Sequence, residues 1–152
     1  MYRVLLVDDD PHILNTNQIF LVKQGYQVYR VESGPEALEL LSTAEVDAVV
    51  LDLDMPGMDG VTVCQRLREV SDVPVIFLSA YAQTDDRIRG LMAGGDDYVA
   101  KPYSLVELEL RLRLHIQRRR NVEAREVLRN GPLEIDLGLR EVRYGGATEA
   151  FT

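Results

Sequence analysis

Residues 46–60 read VDAVVLDLDMPGMDG. The apolar run Val46 to Leu51 has the character of a buried strand, and it delivers an aspartate, Asp52, to its last position. Pro56, Gly57 and Gly60 then mark a turn. Short apolar runs that end in polar residues and Pro/Gly turns are the sequence form of parallel strands covered on both faces. In open α/β sheets such strand ends line the ligand crevice, so Asp52 is either a turn residue or a reactive group. The surrounding chain distinguishes the two.

Working outward, residues 3–7 (RVLLV) form a strand that runs into Asp8, Asp9 and Asp10. Pro11 suits the first turn of a helix, where its missing N–H is not needed. That helix continues to about Gln24 with Ile13, Ile19, Phe20 and Leu21 as its apolar face, and Gly25 ends it. Residues 26–31 make a second strand. Ser33 caps the next helix with Glu36 at the capping-box position, and that helix ends near Thr43. Beyond the opening stretch, Gly60 leads a helix through Val61, Cys64 and Leu67. Residues 73–78 form a fourth strand ending at Ser79. Residues 84–93 form a helix capped by Thr84 and stopped by Gly94 and Gly95. A fifth strand, 97–100, precedes Lys101 and Pro102. Ser104 caps a long helix to about Arg120 with Leu105, Leu108, Leu112 and Ile116 on one stripe. Five strands alternating with five helices predict a doubly wound α/β fold with a five-stranded parallel sheet.

Composition sets the outer limits. At 152 residues, 46% apolar and 28% charged, the chain suits one globular domain and a little more. No apolar run is long enough to span a membrane. The start lacks a signal-peptide cleavage region, and the single cysteine, Cys64, excludes an internal disulfide and suits a helix core position, so a cytoplasmic location is expected. Residues 1–103 carry 8 Lys/Arg against 17 Asp/Glu, a net −9, while residues 104–152 carry 9 against 8, a net +1. An acidic front portion argues against direct nucleic-acid binding there. Residues 121–132 read as a linker or a frayed extension of the last helix. Residues 133–152 alternate apolar and polar around Gly145-Gly146, which predicts short antiparallel strands opening a second, incomplete domain.

In a parallel sheet, Asp8 and Asp9, Asp52, Ser79 and Lys101 share the carboxyl edge. At ~4 Å and an effective dielectric of ~20, each pair of carboxylates repels by about 4 kcal/mol. Oxygen-only donors without His or Cys favour Mg²⁺ as the ion that relieves this. A metal, a carboxylate, a lysine and a hydroxyl together suit phosphoryl transfer to Asp52.

The segments VLLVDDDP, VVLDLDMPGMDG, VIFLSAY and DDYVAKP resemble the receiver domain of two-component response regulators, over residues 2–120. The resemblance implies that Asp52 accepts phosphate from a sensor histidine kinase. It also implies that Asp9, Asp52 and the backbone carbonyl of Asp54 hold Mg²⁺ with help from Asp8, and that Lys101 and Ser79 bind the phosphoryl group. Ser79 and Tyr98 then match the switch pair, and Lys101-Pro102 is expected cis. The segment PLEIDLGLREVRYGGATEAFT resembles the sheet that opens the winged-helix effector of OmpR/PhoB-type regulators, and it stops before any recognition helix. DNA contact is therefore expected only through a part of the effector not present in this chain. In that subfamily phosphorylation drives homodimerisation through the fourth helix, fifth strand and fifth helix. The matching positions here are Arg87 with Glu107, Asp97 with Arg111, and Asp96 with Arg118. Asp54 and Tyr81 flank the phosphoryl site at variable positions and are expected to slow hydrolysis of an aspartyl phosphate. His12 and His115 have no expected chemical role.

Two other classes fit parts of the pattern. Asp52-Leu53-Asp54 is a DxD pair of the kind used by haloacid-dehalogenase phosphatases, although here the acidic pair precedes the nucleophile. A phosphate-independent interaction module with a vestigial pocket is the third.

Overall fold

The computed structural model describes residues 1–80, 88, 91 and 93–130, without the side chains of residues 125–130. The described residues belong to two units, one spanning Met1–Ile116 and one beginning at Gln117. In the first, strands β1 (Arg3–Val7), β2 (Gln27–Val31), β3 (Ala48–Asp52), β4 (Val75–Ser79) and β5 (Asp97–Ala100) alternate with helices α1 (Pro11–Lys23), α2 (Gly34–Leu41) and α3 (Gly60–Arg68). A long helix, Leu105–Asn130, follows. The five strands form one parallel sheet in the order β2-β1-β3-β4-β5. The chain direction across the sheet reverses between β1 and β3, which opens a crevice at their carboxyl ends.

β3 and β4 are buried along their whole length, which is why their sequences are continuous apolar runs rather than alternations. Two apolar layers flank the sheet. One joins Leu5, Val49, Leu51 and Phe77 to Val63, Cys64 and Leu67 of α3. The other joins Leu6, Val50 and Leu78 to Leu14 and Leu21 of α1 and to Leu108, Leu112 and Ile116 of the long helix. Cys64 is a buried core residue, as its helical spacing predicts.

The caps follow the sequence closely. Ser33 Oγ accepts from the Glu36 amide at 3.3 Å, and Glu36 reaches back to the Glu32 amide at 3.0 Å. Ser104 Oγ accepts from the Glu107 amide at 3.3 Å. Asp10 caps α1 by accepting from the His12 amide at 2.9 Å, a role the aspartate run conceals. Gly25 takes φ +96° after α1, a backbone that a residue with a Cβ seldom adopts.

The apolar face of α1 differs from the expected one. Leu14, Asn17 and Leu21 are its buried residues, while Ile19 is 59% exposed. Asn17 can occupy a core position because it pairs with the Tyr103 hydroxyl at 2.9 Å. A second buried polar pair, the Tyr26 hydroxyl donating to Glu109 Oε2 at 2.8 Å, joins the start of β2 to the long helix. β4 begins at Val75 rather than Val73.

In the unit that begins at Gln117, residues to Asn130 are helical, with Arg119 paired to Glu123 at 3.5 Å. The stretch 121–130, expected as a linker or a frayed continuation of the last helix, is helical. The expected cap Thr84, most of the helix at 84–93 and the strands at 133–152 lie outside the described residues. Ile88 and Leu91 are helical and exposed. Among the described residues, no helix is long and apolar enough to cross a membrane.

Candidate functional site

The carboxyl edge of the sheet gathers the expected residues. Asp8 follows β1, Asp52 ends β3 and Ser79 ends β4, all three buried, while Asp9 is exposed at the rim. Oxygen atoms of Asp8, Asp9 and Asp52 lie within 4.8 Å of one another. Lys101, one residue past β5, places Nζ 3.6 Å from Asp52 Oδ2 and 3.7 Å from Asp8 Oδ2. Its backbone amide donates to the Ser79 carbonyl at 2.7 Å, fixing it beside the strand that carries the hydroxyl. The Lys101-Pro102 peptide bond is cis, as the resemblance implies.

Each carboxylate is held differently. Asp8 Oδ1 accepts the Asp10 amide at 2.9 Å. Its Oδ2 is buried and has no hydrogen-bond partner among the described residues. Asp52 Oδ1 accepts the Asp54 amide at 3.0 Å, and its Oδ2 faces Lys101. Burial pushes the Asp8 carboxyl up to about 6; the nearby Asp52 charge adds to the rise, while the Asp10 amide and Lys101 counter it. For Lys101, burial works against the charge, but Asp52 and Asp8 prevail and hold it above the ordinary lysine value. Among the described residues, Lys101 thus faces Asp8 and Asp52 within a group of three carboxylates completed by Asp9. The orphaned buried oxygen of Asp8 and the all-oxygen donor set fit a hard divalent cation.

The loop after β3 is tied down from within. The Leu53 amide donates to the Leu78 carbonyl at 2.8 Å, and Leu53 and Met55 are both buried. Asp54 lies exposed between them and accepts from Ser79 Oγ at 2.9 Å through Oδ2. A Cβ at Gly60 would sit 2.5 Å from the Asp52 carbonyl oxygen and 2.9 Å from Leu53 Cα. Gly60 is therefore required by the close passage of α3 against the backbone behind Asp52, a stronger constraint than the turn its sequence suggests.

The remaining expected residues are dispersed. Tyr98 is half-buried on β5, and its amide is held by Asp97 Oδ1 at 2.8 Å. Asp97 and Arg111 meet within a single chain at 2.8 and 3.0 Å, and Arg111 also grips Glu107. His115 Nε2 lies 3.0 Å from Asp97 Oδ2. Burial alone would raise the Asp97 carboxyl, but the hydrogen bonds from Arg111 and His115 hold it below the usual carboxylate range. Asp96 is engaged by Arg68 at 2.9 Å and by the Val75 amide at 2.8 Å. Arg118 is exposed on the long helix, and Arg87 and Tyr81 lie outside the described residues.

Sequence reasoning misses Arg68. Its guanidinium also donates to the carbonyls of Gly94 at 2.8 Å and Val73 at 2.6 Å, bracing the entries to β4 and β5. It reads only as one of two arginines at the end of a helix, and no local pattern marks a side chain whose partners lie 26 and 28 positions away.

Residues 4–113 match the profile of the response regulator receiver domain. The chain belongs to that family. The Transcriptional regulatory protein PrrA of Mycobacterium tuberculosis is 42% identical over 153 residues, covering 99% of this chain and 66% of the relative. The chain thus spans just under two thirds of that relative's length. Among solved structures, the Francisella response regulator 1452 receiver domain superposes with a TM-score of 0.74 at 36% identity, covering 78% of this chain and 98% of that one. The receiver domain of the sensor histidine kinase PA1611 from Pseudomonas aeruginosa, with a magnesium ion coordinated in its active site cleft, gives 0.72 at 33% identity, covering 76% and 98%. Receiver domains are the phosphoryl-accepting partners of sensor histidine kinases in two-component signalling, and this chain carries one.

Proposed function

We propose that Asp52 is the phospho-acceptor of this receiver and that Asp8, Asp9, Asp52 and the Asp54 carbonyl hold Mg²⁺ around it. The observation that carries the reading is the convergence of buried Asp8, Asp52 and Ser79 with half-buried Lys101 on one edge of the sheet. When bound, Mg²⁺ would offset the charge of the carboxylates and of the incoming phosphoryl oxygens. The protein's own residues supply position and charge. The bond between phosphorus and the kinase imidazole nitrogen breaks, and the imidazole keeps the electron pair. A bond from an Asp52 carboxylate oxygen to phosphorus forms in its place. Lys101, already 3.6 Å from Asp52, neutralises one phosphoryl oxygen, and the Ser79 hydroxyl donates to another. No general base is needed, because the attacking oxygen carries no proton.

The domain acts as a switch rather than as a turnover enzyme, and hydrolysis of the aspartyl phosphate resets it. Phosphorylation repositions Ser79 and Tyr98 and so biases the surface made by the fifth strand and its flanking helices. Arg87, Asp96, Asp97, Glu107, Arg111 and Arg118 form the homodimer face there. Residues 1–120 form the receiver, 121–132 the connection and 133–152 the opening of a winged-helix effector. DNA binding belongs to the part of the effector beyond this chain, and the longer protein is a cytoplasmic transcription regulator.

The test is intact mass after incubation with acetyl phosphate, with and without Mg²⁺, alongside Asp52→Ala. One phosphoryl group gained only with Mg²⁺ and only in the parent supports the reading. A parent that folds yet gains none refutes it. Size-exclusion of the same samples tests dimerisation, and steady turnover of p-nitrophenyl phosphate would instead favour a phosphatase.

A further inference from the structure

We propose that the Asp54 carboxylate is a latch on the switch hydroxyl, holding Ser79 in the resting state and thereby setting how readily the domain responds to phosphoryl binding. The inference rests on Asp52 being the phospho-acceptor and concerns a step that this role leaves open, the release of Ser79 from its resting partner.

The geometry identifies the competitor. Ser79 is fully buried, and its Oγ donates to Asp54 Oδ2 at 2.9 Å. A serine hydroxyl has one proton to donate, so Asp54 and a phosphoryl oxygen on Asp52 compete for the same hydrogen. The Ser79 backbone is fixed by the Lys101 amide on its carbonyl, which leaves side-chain rotation as the means of exchange. Asp54 is held in place as well. Its amide is bonded to Asp52 Oδ1 at 3.0 Å, and the residues on either side, Leu53 and Met55, are anchored in the core. A hydrogen bond to an ionised acceptor is stronger than one between neutral groups, so the resting contact opposes the switch appreciably.

Asp54 also carries charge near the phosphoryl position, and its removal would favour an anion there with no latch at all. Coupling between the two residues separates these effects. The experiment measures binding of beryllofluoride, a phosphoryl mimic, by calorimetry at saturating Mg²⁺ for the parent, Asp54→Ala, Asp54→Asn, Ser79→Ala and the double variant Asp54→Ala/Ser79→Ala. Mg²⁺ affinity is measured separately for each, and thermal melts verify folding. The latch requires that Asp54→Ala tighten beryllofluoride by roughly 3-fold to 30-fold, the range for a charge-assisted hydrogen bond partly open to water. Asp54→Asn, which keeps an acceptor oxygen, falls between Asp54→Ala and the parent. In the Ser79→Ala background the gain from Asp54→Ala falls to the part that charge removal alone supplies.

An unchanged affinity in Asp54→Ala overturns the latch. So does an equal gain with and without Ser79, because that is charge repulsion alone. A folded parent that binds Mg²⁺ but no beryllofluoride overturns the phospho-acceptor reading and the latch with it, so the two failures are distinguishable.

Discussion

Replacing Asp8 with asparagine should make the metal-free protein more stable at neutral pH. Asp8 is 2% exposed, and burial with the Asp52 charge beside it raises its carboxyl from 3.8 to about 6. A raised acid pKa means the folded state binds the proton more tightly than the unfolded chain. That contribution to stability is fully present below pH ~4 and is lost as the pH rises through ~6. Two pKa units correspond to about 3 kcal/mol, an upper bound because water and side-chain relaxation soften the repulsion. The asparagine amide would keep an oxygen for the Asp10 N–H and carry no charge. The expected gain for Asp8→Asn at a pH of about 7.5 in EDTA is therefore about 1–3 kcal/mol, or roughly 4–12 °C in Tm for a unit of this size. Calorimetric melts from pH ~4 to ~8 make the test sharper: the difference between variant and parent shrinks toward the acid end. Saturating Mg²⁺ raises the parent by about 2.7 kcal/mol at roughly 100 times its Kd and the variant by less, so the gap narrows or reverses. A variant no more stable than the parent near neutral pH without metal, or a gap independent of pH, would refute the electrostatic account of this site.

Gly60→Ala pushes a methyl into the Asp52 carbonyl and Leu53 Cα, contacts of 2.5 and 2.9 Å that backbone alone can relieve. Urea denaturation should show a loss of about 2–4 kcal/mol, with Mg²⁺ affinity reduced in whatever fraction folds. Tyr26→Phe leaves the buried Glu109 carboxylate without its hydroxyl donor, and Arg113 at 3.4 Å compensates only in part. The expected cost is about 1–2 kcal/mol, and adding Glu109→Leu should recover some of it in the same denaturation assay. Asp97 titrates below the usual range in the folded state, so its stabilisation is present above pH ~4 and is lost as the pH falls through its lowered value. Asp97→Asn should therefore cost about 1 kcal/mol near neutral pH and progressively less in acid, followed by thermal melts.

The placement of the candidate site residues is legible in the sequence because they stand at strand ends. VLLV before Asp8, VVL before Asp52 and IFL before Ser79 each place a polar residue where a buried strand stops, and the parallel topology brings those stops together. The caps at Ser33 and Ser104 are equally legible, since a side chain bonded three positions away is a local event. What periodicity does not reach is long-range exchange. Ile19 lies on the side of α1 that the pattern marks as apolar, yet Asn17 takes the buried place because Tyr103 stands opposite, 86 positions away. The resemblance marks Asp96 as a dimer residue, although in one chain it is already bonded to Arg68 and to Val75. Asp54 is recognisable from sequence as a close neighbour of Asp52, but only the fold, with Leu53 and Met55 buried on either side, brings its carboxylate to the Ser79 hydroxyl.

The Arg68 brace divides β4 into two mechanically unlike ends. At the entrance, one guanidinium pins Val73, Gly94 and Asp96, and Asp96 in turn clamps the amide of Val75. At the exit, the Ser79 hydroxyl meets the reactive edge through an exchangeable contact with Asp54. Both ends of the strand backbone are therefore held, the root by the Arg68 and Asp96 clamp and the tip by the Lys101 amide on the Ser79 carbonyl, so a change of partner at the Ser79 hydroxyl should leave the clamp in place. Slow amide exchange at Val75 and Asp96 that persists when the site is loaded would be its signature, with the response displaced toward Tyr98 and the surface beyond it.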